Sequence, residues 1–352
     1  MSPWTTFLLS TSSLLLALPL TPMACGGQTA DGPSPAEAPD TGGPAEAGTS
    51  PEAEADVFAP FPSGTIAVGM SLGGVSFYPP GATTNTLPMG QLFWPNDGYV
   101  RQYLAFDASG YLYVDSYLDA QGPVGSLARV DVFAPGSVGQ GTPVRTIVGS
   151  TTGLVSARAM TVDGNGFLFV ANGSVTSVPP SNVQVFAPGA TGDALPVRSI
   201  STTSVGGLWL PSGIALDPAG DLYVGNSEGP PLYLFAAGTG AQTPIESLGD
   251  DTSLEDVSGV AIDSSGRVYT ADATANRVVV FGPGGSAVPL GFIAGDQTGL
   301  SMPLDIAVDH AGRICVANDM GGVRVFAAGA MGNVAPVAIL SESDGYNVAV
   351  AP

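Results

Sequence analysis

Five copies of one short pattern recur along this chain. Each copy is an apolar stretch, then Asp-x-x-Gly, then a second apolar stretch that ends in Asn, Asp or Ser, as in IALDPAGDLYVGN. The copies occupy residues 104–116, 160–172, 214–226, 260–272 and 306–318. Their aspartates are 56, 54, 46 and 46 residues apart. A repeat period of this length is typical of folds built from copies of one supersecondary unit.

The Asp-x-x-Gly motif predicts a hairpin in every copy, because Asp at the first position and Gly at the fourth favour a type I turn. A third apolar stretch follows and ends in phenylalanine, and a glycine loop then leads to a fourth, such as PVRTIV at residues 143–148. The phenylalanines are Phe133, Phe186, Phe235, Phe281 and Phe326. Four consecutive strands of this kind form one blade of a β-propeller.

A sixth unit is split between the two ends of this region. Residues 65–68 match a second strand, FYPPG at residues 77–81 matches the end of a third, and residues 347–350 supply the missing first strand. Pairing the last strand with the first removes an exposed sheet edge. The sequence therefore predicts an all-β fold: one six-bladed β-propeller of four-stranded blades over residues 63–352, with the ring closed by its N- and C-terminal strands in one split blade.

The units resemble NHL repeats, whose core reads much like GIAxDxxGxLYVA followed by Asp or Asn. The resemblance extends over nearly all of residues 63–352. It implies the fold but says little about function, because this architecture hosts unrelated activities.

The charge balance argues against a nucleic-acid partner. The formal net charge is −21, and all nine basic residues are arginines. Binding to nucleic acid needs clustered Lys and Arg that displace counterions from phosphates. This chain has no such cluster, so we expect no nucleic-acid binding.

Residues 1–24 predict a signal peptide. The apolar stretch from Phe7 to Leu20 has 14 residues, which is too short to span a bilayer and typical of a signal-peptide core. It leads to the sequence PMAC, which ends at Cys25 and resembles the lipobox of bacterial lipoproteins, whose cysteine is diacylated and becomes the mature N-terminus. Pro22 stands where lipoboxes usually have leucine. Ordinary secretion with cleavage nearby is the alternative.

Residues 25–62 predict a disordered acidic tether. The segment is rich in Pro, Ala and Gly and contains seven acidic residues and no basic one. Such a composition buries too little apolar surface to offset the entropy lost on ordering. Leader and tether together predict an extracytoplasmic monomer that is anchored to the outer membrane or cell surface, with its lipid as the only membrane contact, or else secreted.

Histidine and cysteine are too scarce for several kinds of catalysis. The only histidine, His310, falls in the hairpin turn of the last full repeat. Zinc sites built from several histidines, and Ser-His-Asp or Cys-His catalysis, are therefore not expected. When the repeats are aligned, Cys315 stands at a position where the other full repeats have Tyr or Phe. We therefore expect it to pack in the core. We assign no catalytic residue.

Polar residues close the second strand of every full repeat. They are Ser116, Asn172, Asn226, Asp272 and Asn318. In one interpretation they make Asx-type hydrogen bonds that start each following loop. In the other, Asn172, Asn226, Asp272 and Asn318 form a ring at one channel mouth that binds calcium through oxygen atoms. The second use is similar to that of regucalcin and gluconolactonase-like propellers. Calcium is the one cofactor we consider.

A second set of residues lies where the first strand of each unit begins. Most units have Gly, Ala or an aromatic residue there, but the last full repeat has Asp305, and Arg158 stands one residue earlier in its own unit. A charge at the mouth of a close-packed channel is either half of an ion pair or a ligand contact. With Tyr103 and Asn347 from the same column, Arg158 and Asp305 form our candidate ligand site.

Acidic residues concentrate in the loops that a propeller places on one face, which we call the loop face. They are Asp97, Asp119, Glu228, Asp250, Asp251, Glu255, Asp256, Asp296, Asp319, Glu342 and Asp344. These acids either keep a large surface soluble or attract a cation or a basic partner. Our primary hypothesis is a non-catalytic binding or scaffold module for an unknown protein or small ligand. The alternatives are a metal-dependent hydrolase or lactonase of the gluconolactonase type, and a purely structural envelope component.

Overall fold

The computed structural model describes eleven stretches of the chain. They are residues 59–70, 73–94, 99–118, 128–173, 181–201, 207–227, 230–238, 244–248, 254–285, 288–340 and 345–352. These residues form 25 β-strands in six sheets, and none of them is helical. The described stretches accordingly contain no helix long and apolar enough to cross a membrane.

The Asp-x-x-Gly motif builds the first hairpin of every full blade. In the third copy, Oδ1 of Asp217 accepts the backbone N–H groups of Ala219 (2.8 Å) and Asp221 (2.9 Å), so one carboxylate fixes the turn from inside. Gly220 has a φ of 88°, a left-handed conformation that L side chains rarely adopt. The other four turns repeat both features. The motif therefore dictates the hairpin locally.

Each blade is an antiparallel sheet of four strands. Blade 6 contains β1 (Ile66–Met70), β2 (Gly74–Tyr78), β3 (Gly90–Phe93) and the last strand, β25 (Gly345–Val350). Blade 1 contains β4 (Tyr99–Phe106), β5 (Leu112–Leu118), β6 (Arg129–Phe133) and, after the short β7 (Gly139–Gln140), β8 (Arg145–Ile147). Blade 2 contains β9 (Ala157–Val162), β10 (Leu168–Asn172), β11 (Asn182–Phe186) and β12 (Arg198–Ile200).

The remaining three blades follow the same order. Blade 3 contains β13 (Ile214–Leu216), β14 (Leu222–Gly225), β15 (Leu232–Phe235) and β16 (Glu246–Leu248). Blade 4 contains β17 (Val257–Ile262), β18 (Val268–Asp272), β19 (Arg277–Phe281) and β20 (Pro289–Ile293). Blade 5 contains β21 (Pro303–Val308), β22 (Ile314–Asn318), β23 (Val323–Phe326) and β24 (Ala338–Leu340).

Blade 6 closes the ring. Its strand β25 pairs antiparallel with β1, so that Val350 lies opposite Ile66 and Val348 lies opposite Val68. The side chains of Ile66 and Val68 are fully buried between the blades. The six-bladed propeller and its split blade, both predicted from the sequence, are confirmed.

Apolar side chains fill the space between neighbouring blades. The phenylalanines that end the third strands of blades 1 to 5 are buried. Cys315 is also buried there, and this burial raises the pKa of its thiol to about 12, so the residue acts by packing.

His310 lies on the surface, where Nδ1 is 2.7 Å from Oγ of Ser63. Before β1, the ring of Phe61 stacks on Phe77 at 4.0 Å between centroids.

The first strands of the six blades line a channel of about 230 Å³ along the propeller axis. Neighbouring strands approach most closely between blades 3, 4 and 5. A Cβ atom on Gly213 would lie 2.8 Å from Cα of Gly259, and one on Gly259 would lie 2.9 Å from Cα of Asp305. Only glycine fits at these two positions, because a larger residue would push adjacent backbones apart.

Loops from neighbouring blades cover several outer strands, a feature that the repeat pattern did not predict. Strand β7 of blade 1 pairs in parallel with β3 of blade 6. Parallel bridges likewise join Ile147 to Gly192 and Ile293 to Gly332. Each contact gives hydrogen-bond partners to the edge of a sheet that would otherwise be open.

Candidate functional site

Bulges re-aim one side chain of several inner strands at the loop face. The pairing register shifts between Ala157 and Ala159 in β9, between Val257 and Gly259 in β17, and between Pro303 and Asp305 in β21. The extra residues are Arg158, Ser258 and Leu304. A bulge bends its strand and redirects a side chain, and here it turns these three towards the end of the channel.

The bulged residues line a cavity of about 370 Å³, which we call the mouth cavity. Its walls are Tyr103, Arg158, Ser212, Ser227, Asp256, Ser258, Ala273, Met302, Leu304, Tyr346 and Asn347. Every one of the six blades contributes to it. Three of the four candidate ligand residues from the sequence, Tyr103, Arg158 and Asn347, thus come together. The fourth, Asp305, does not line this cavity but lies in the channel, which Tyr103 also lines.

Arg158 forms no hydrogen bond or close ion pair with a described residue, although it interacts electrostatically with Asp256. Its Nε is buried without a hydrogen-bond partner, and its stem packs against Gly173, where a Cβ would lie 2.5 Å from Cδ. The matching serines hold neighbouring blades together: the hydroxyl of Ser212 donates to the carbonyl of Val257, and that of Ser258 donates to Pro303 at 2.5 Å. Arg158 stands at the equivalent position of blade 2 and makes no such hydrogen bond to the next blade.

The other arginines with described side chains all contact a partner. Four form ion pairs, with N···O distances of 2.6 to 2.9 Å: Arg129 with Asp131, Arg267 with Asp263, Arg277 with Asp272, and Arg313 with Asp309. Arg145 and Arg198 lie over aromatic rings, and Arg324 donates to the carbonyl of Gly321. Arg158 therefore differs from the rest in its surroundings, which its position in the repeat alone would not reveal.

Asp256 lies in the same cavity as Arg158. Burial raises the pKa of Asp256 above its usual value, the nearby Asp272 carboxylate adds to that rise, and Arg158 opposes it. The Asp256 carboxylate makes no hydrogen bond or ion pair with a described residue. Sequence reasoning placed Asp256 among the loop-face acids but did not connect it with Arg158, because the two residues belong to different blades.

Asn347 adds a buried acceptor. The residue is only 1% exposed, and its Oδ1 is buried without a hydrogen-bond donor. The side chain fits against Gly69, where a Cβ would come within 2.7 Å of that oxygen. That oxygen lies against Gly69 and is closed to solvent, so Asn347 lines the cavity without presenting Oδ1 to it.

One wall of the mouth cavity is apolar and partly strained. Met302 is 47% exposed, and its φ of 47° lies in the left-handed region that methionine rarely adopts. The Met302 N–H donates to Oδ1 of Asn276 at 2.6 Å, which holds the strained backbone in place. Leu304 and the ring of Tyr346 continue this wall. Backbone strain of this kind clusters at functional sites.

Asp305 has a different environment. Its Oδ1 accepts the N–H of Ile306 at 2.8 Å, and its Oδ2 accepts the N–H of Val348 in the closing strand at 3.0 Å. Burial raises the pKa of Asp305 from its usual value near 3.8 to about 7, although both N–H donors act to lower it. The carboxyl group thus joins blade 5 to blade 6.

The four proposed calcium ligands brace loops in this structure. Asn172 Oδ1 accepts the N–H groups of Val155 (2.7 Å) and Ser156 (3.2 Å). Asn226 accepts from Trp209, Asn318 accepts from Ser301, and Asp272 accepts from Glu255 and Asp256 and pairs with Arg277. These acceptors hold the loop that precedes the first strand of the same blade, 16 or 17 residues earlier in the chain, and not the following loop that the Asx-type interpretation expected. No group of three or more His, Cys, Asp or Glu within the described stretches is placed to hold a metal ion.

Part of the acidic loop face can be located. Glu255 and Asp296 are exposed, and Asp256 and Asp319 are half-buried. The other acids proposed for this face, namely Asp97, Asp119, Glu228, Asp250, Asp251, Glu342 and Asp344, lie outside the described residues, as does Cys25.

Comparison with known proteins supports the fold. The NHL repeat model matches residues 254–281, which include β17, β18 and β19 of blade 4, so the chain contains an NHL repeat as its sequence predicted. None of the curated proteins matches this sequence.

Solved structures with this architecture include the periplasmic gluconolactonase of Pseudomonas aeruginosa. It is 17% identical, with 75% of this chain and 78% of that chain covered and a TM-score of 0.50. A protein from Lactobacillus plantarum is 12% identical over 82% of this chain and 100% of that chain, with a TM-score of 0.49. At 17% identity, the likeness to the gluconolactonase shows the fold alone.

The Asp305 carboxyl group predicts a pH-dependent stability. Its folded pKa, about 7, exceeds its unfolded value near 3.8, so a contribution that is complete at low pH is lost as the pH rises towards 7. The loss has an upper limit of about 4 kcal/mol. We expect the wild type to lose stability to urea between about pH 4 and pH 7 relative to Asp305→Asn, which does not titrate.

Asp296→Asn, at an exposed acid, serves as the control and should follow the wild type. Stability curves for the wild type and Asp305→Asn that run parallel over this pH range would contradict the assignment.

Proposed function

We propose that this protein is a non-catalytic binding module whose ligand occupies the mouth cavity. The observation that carries the proposal is Arg158, which alone among the eight arginines with described side chains forms no hydrogen bond, close ion pair or ring contact with a described residue. It lies in a cavity to which all six blades contribute. The propeller fold with an NHL repeat supplies the rigid frame.

Polar groups that lack hydrogen-bond partners in the cavity contribute to its affinity for a ligand. A buried polar group without a partner costs about 1–3 kcal/mol, and more when it is charged. The Nε of Arg158 and the Oδ1 of Asn347 are both in this condition. A ligand that accepts a hydrogen bond from the Arg158 guanidinium offsets the cost of leaving that charged group without an acceptor. Stability given up in this way is typical of functional sites.

The loop face around the mouth cavity is a second proposed contact surface. With a net charge of −21, the protein carries a negative field that attracts a basic partner. Glu255 and Asp296 are exposed on this face and are available for such contacts. A complex formed mainly through this field weakens as salt is added, because exposed charges are screened.

A metal-dependent lactonase is the alternative function. The two functions differ in whether the ligand is chemically changed in the cavity. In the alternative, Asn172, Asn226, Asp272 and Asn318 would release their loop contacts to hold calcium, and a lactone would be hydrolysed. In our proposal, these residues keep their loops in place, and a ligand leaves the cavity unchanged.

The leader sequence predicts that the binding module is extracytoplasmic and lipid-anchored through Cys25. Intact-mass measurement of protein from the membrane fraction should give a chain that begins at Cys25 and carries a diacyl or triacyl addition. A soluble mature protein that begins at another residue would contradict the anchor and leave secretion as the route.

Binding at the mouth cavity predicts a specific dependence on Arg158. We expect at least one member of a panel of amino acids, organic acids, sugars and sugar lactones to raise the melting temperature of the wild type and not that of Arg158→Gln. Saturation at a hundredfold excess over Kd corresponds to about 2.7 kcal/mol of stabilisation. Glucono-δ-lactone should hydrolyse no faster with the protein than in buffer alone, with or without calcium.

Two results would count against this function. If every compound that stabilises the wild type stabilises Arg158→Gln equally, the mouth cavity is not the binding site. If glucono-δ-lactone is hydrolysed in a calcium-dependent reaction that Asp272→Ala abolishes, the lactonase alternative is favoured.

A further inference from the structure

Two opposite charges line the mouth cavity without forming an ion pair. The guanidinium of Arg158 and the carboxylate of Asp256 both border it, and neither has a hydrogen bond or ion pair with a described residue. Arg158 acts electrostatically to lower the pKa of Asp256, but the two do not form a contact like that of Arg277 with Asp272 at 2.9 Å. The cavity therefore offers a positive and a negative group, each able to contact a ligand group of the opposite sign.

The charge of the whole protein restricts what enters. A net charge of −21 repels an anionic ligand before it reaches Arg158. A cationic ligand is attracted to the surface but meets Arg158 inside the cavity. A zwitterion has no net charge, so the overall field does not oppose it, and its two ends match the two groups of the cavity.

The uncharged walls define the remainder of the ligand. Asn347, a polar residue that is 1% exposed, also lines the cavity. Met302, Leu304 and the ring of Tyr346 form an apolar surface beside these polar groups. The volume of about 370 Å³ falls within the range of small-molecule sites, which is about 300–1,000 Å³.

We propose that the mouth cavity binds a free α-amino acid with an apolar side chain, with the carboxylate on Arg158, the ammonium group on Asp256, and the side chain against Met302 and Leu304. This inference rests on the proposed function, and it adds the chemical class of the ligand. It requires no bond to form or break in the ligand.

Calorimetric titration of the full chain with L-methionine and two derivatives tests the class. L-Methionine should bind with one site per chain. N-Acetyl-L-methionine lacks the ammonium group and L-methioninamide lacks the carboxylate, so each should bind at least about tenfold more weakly, which corresponds to about 1.4 kcal/mol. Because these comparisons use only the wild type, they do not depend on whether a variant folds.

Substitutions then assign the contacts. Arg158→Gln should abolish L-methionine binding, and Asp256→Asn should weaken it at least about tenfold. Glu246→Gln changes an exposed acid on β16 that does not line the cavity, and it should leave the affinity unchanged.

The outcomes separate this inference from the function on which it rests. If L-methionine, L-leucine and L-phenylalanine all fail to bind while a sugar or an organic acid binds in an Arg158-dependent manner, the ligand class is wrong and the mouth cavity stands. Equal affinities for L-methionine and its N-acetyl derivative would also overturn the class. If no compound of the panel shows a dependence on Arg158, both proposals fail.

Discussion

Close contact between neighbouring inner strands sets the geometry of this propeller. Around the axis, blades 3, 4 and 5 approach until a Cβ on Gly213 would lie 2.8 Å from the backbone of Gly259. Strands packed so tightly leave little room along the channel. At the loop face, bulges in several inner strands turn Arg158, Ser258 and Leu304 towards the end of the channel and leave space for a ligand. The mouth cavity is thus a consequence of how the ring packs.

The fold was predictable because its determinants are local and repeated. The Asp-x-x-Gly turn uses hydrogen bonds that span at most four residues, as in Asp217 with Ala219 and Asp221, and the sequence shows that turn five times. The closing strand was also predictable, because residues 347–350 match the first strand that the split blade lacks. Neither inference needed knowledge of distant contacts.

The site was only partly predictable because it depends on contacts between blades. The sequence singled out Arg158, Asp305, Tyr103 and Asn347 because they lie where the first strand of each unit begins. It did not show that Asp305 turns to the N–H of Val348, 43 residues away, or that Arg158 shares a cavity with Asp256 from another blade. A bulge adds one residue to a strand and so changes which side chain faces the cavity. An alignment of the repeats does not reveal this change. The parallel bridges were also missed, because they too join residues of different blades.

The central claim is that Arg158 is kept unpaired for a ligand and does not stabilise the fold. Thermal unfolding of Arg158→Gln and Arg277→Gln without ligand tests this claim most directly. Arg277 pairs with the fully buried Asp272, and breaking a buried pair costs about 3–5 kcal/mol. We predict that Arg277→Gln lowers the melting temperature sharply, whereas Arg158→Gln melts at or above the wild-type temperature. A loss of stability in Arg158→Gln as large as that in Arg277→Gln would contradict the account.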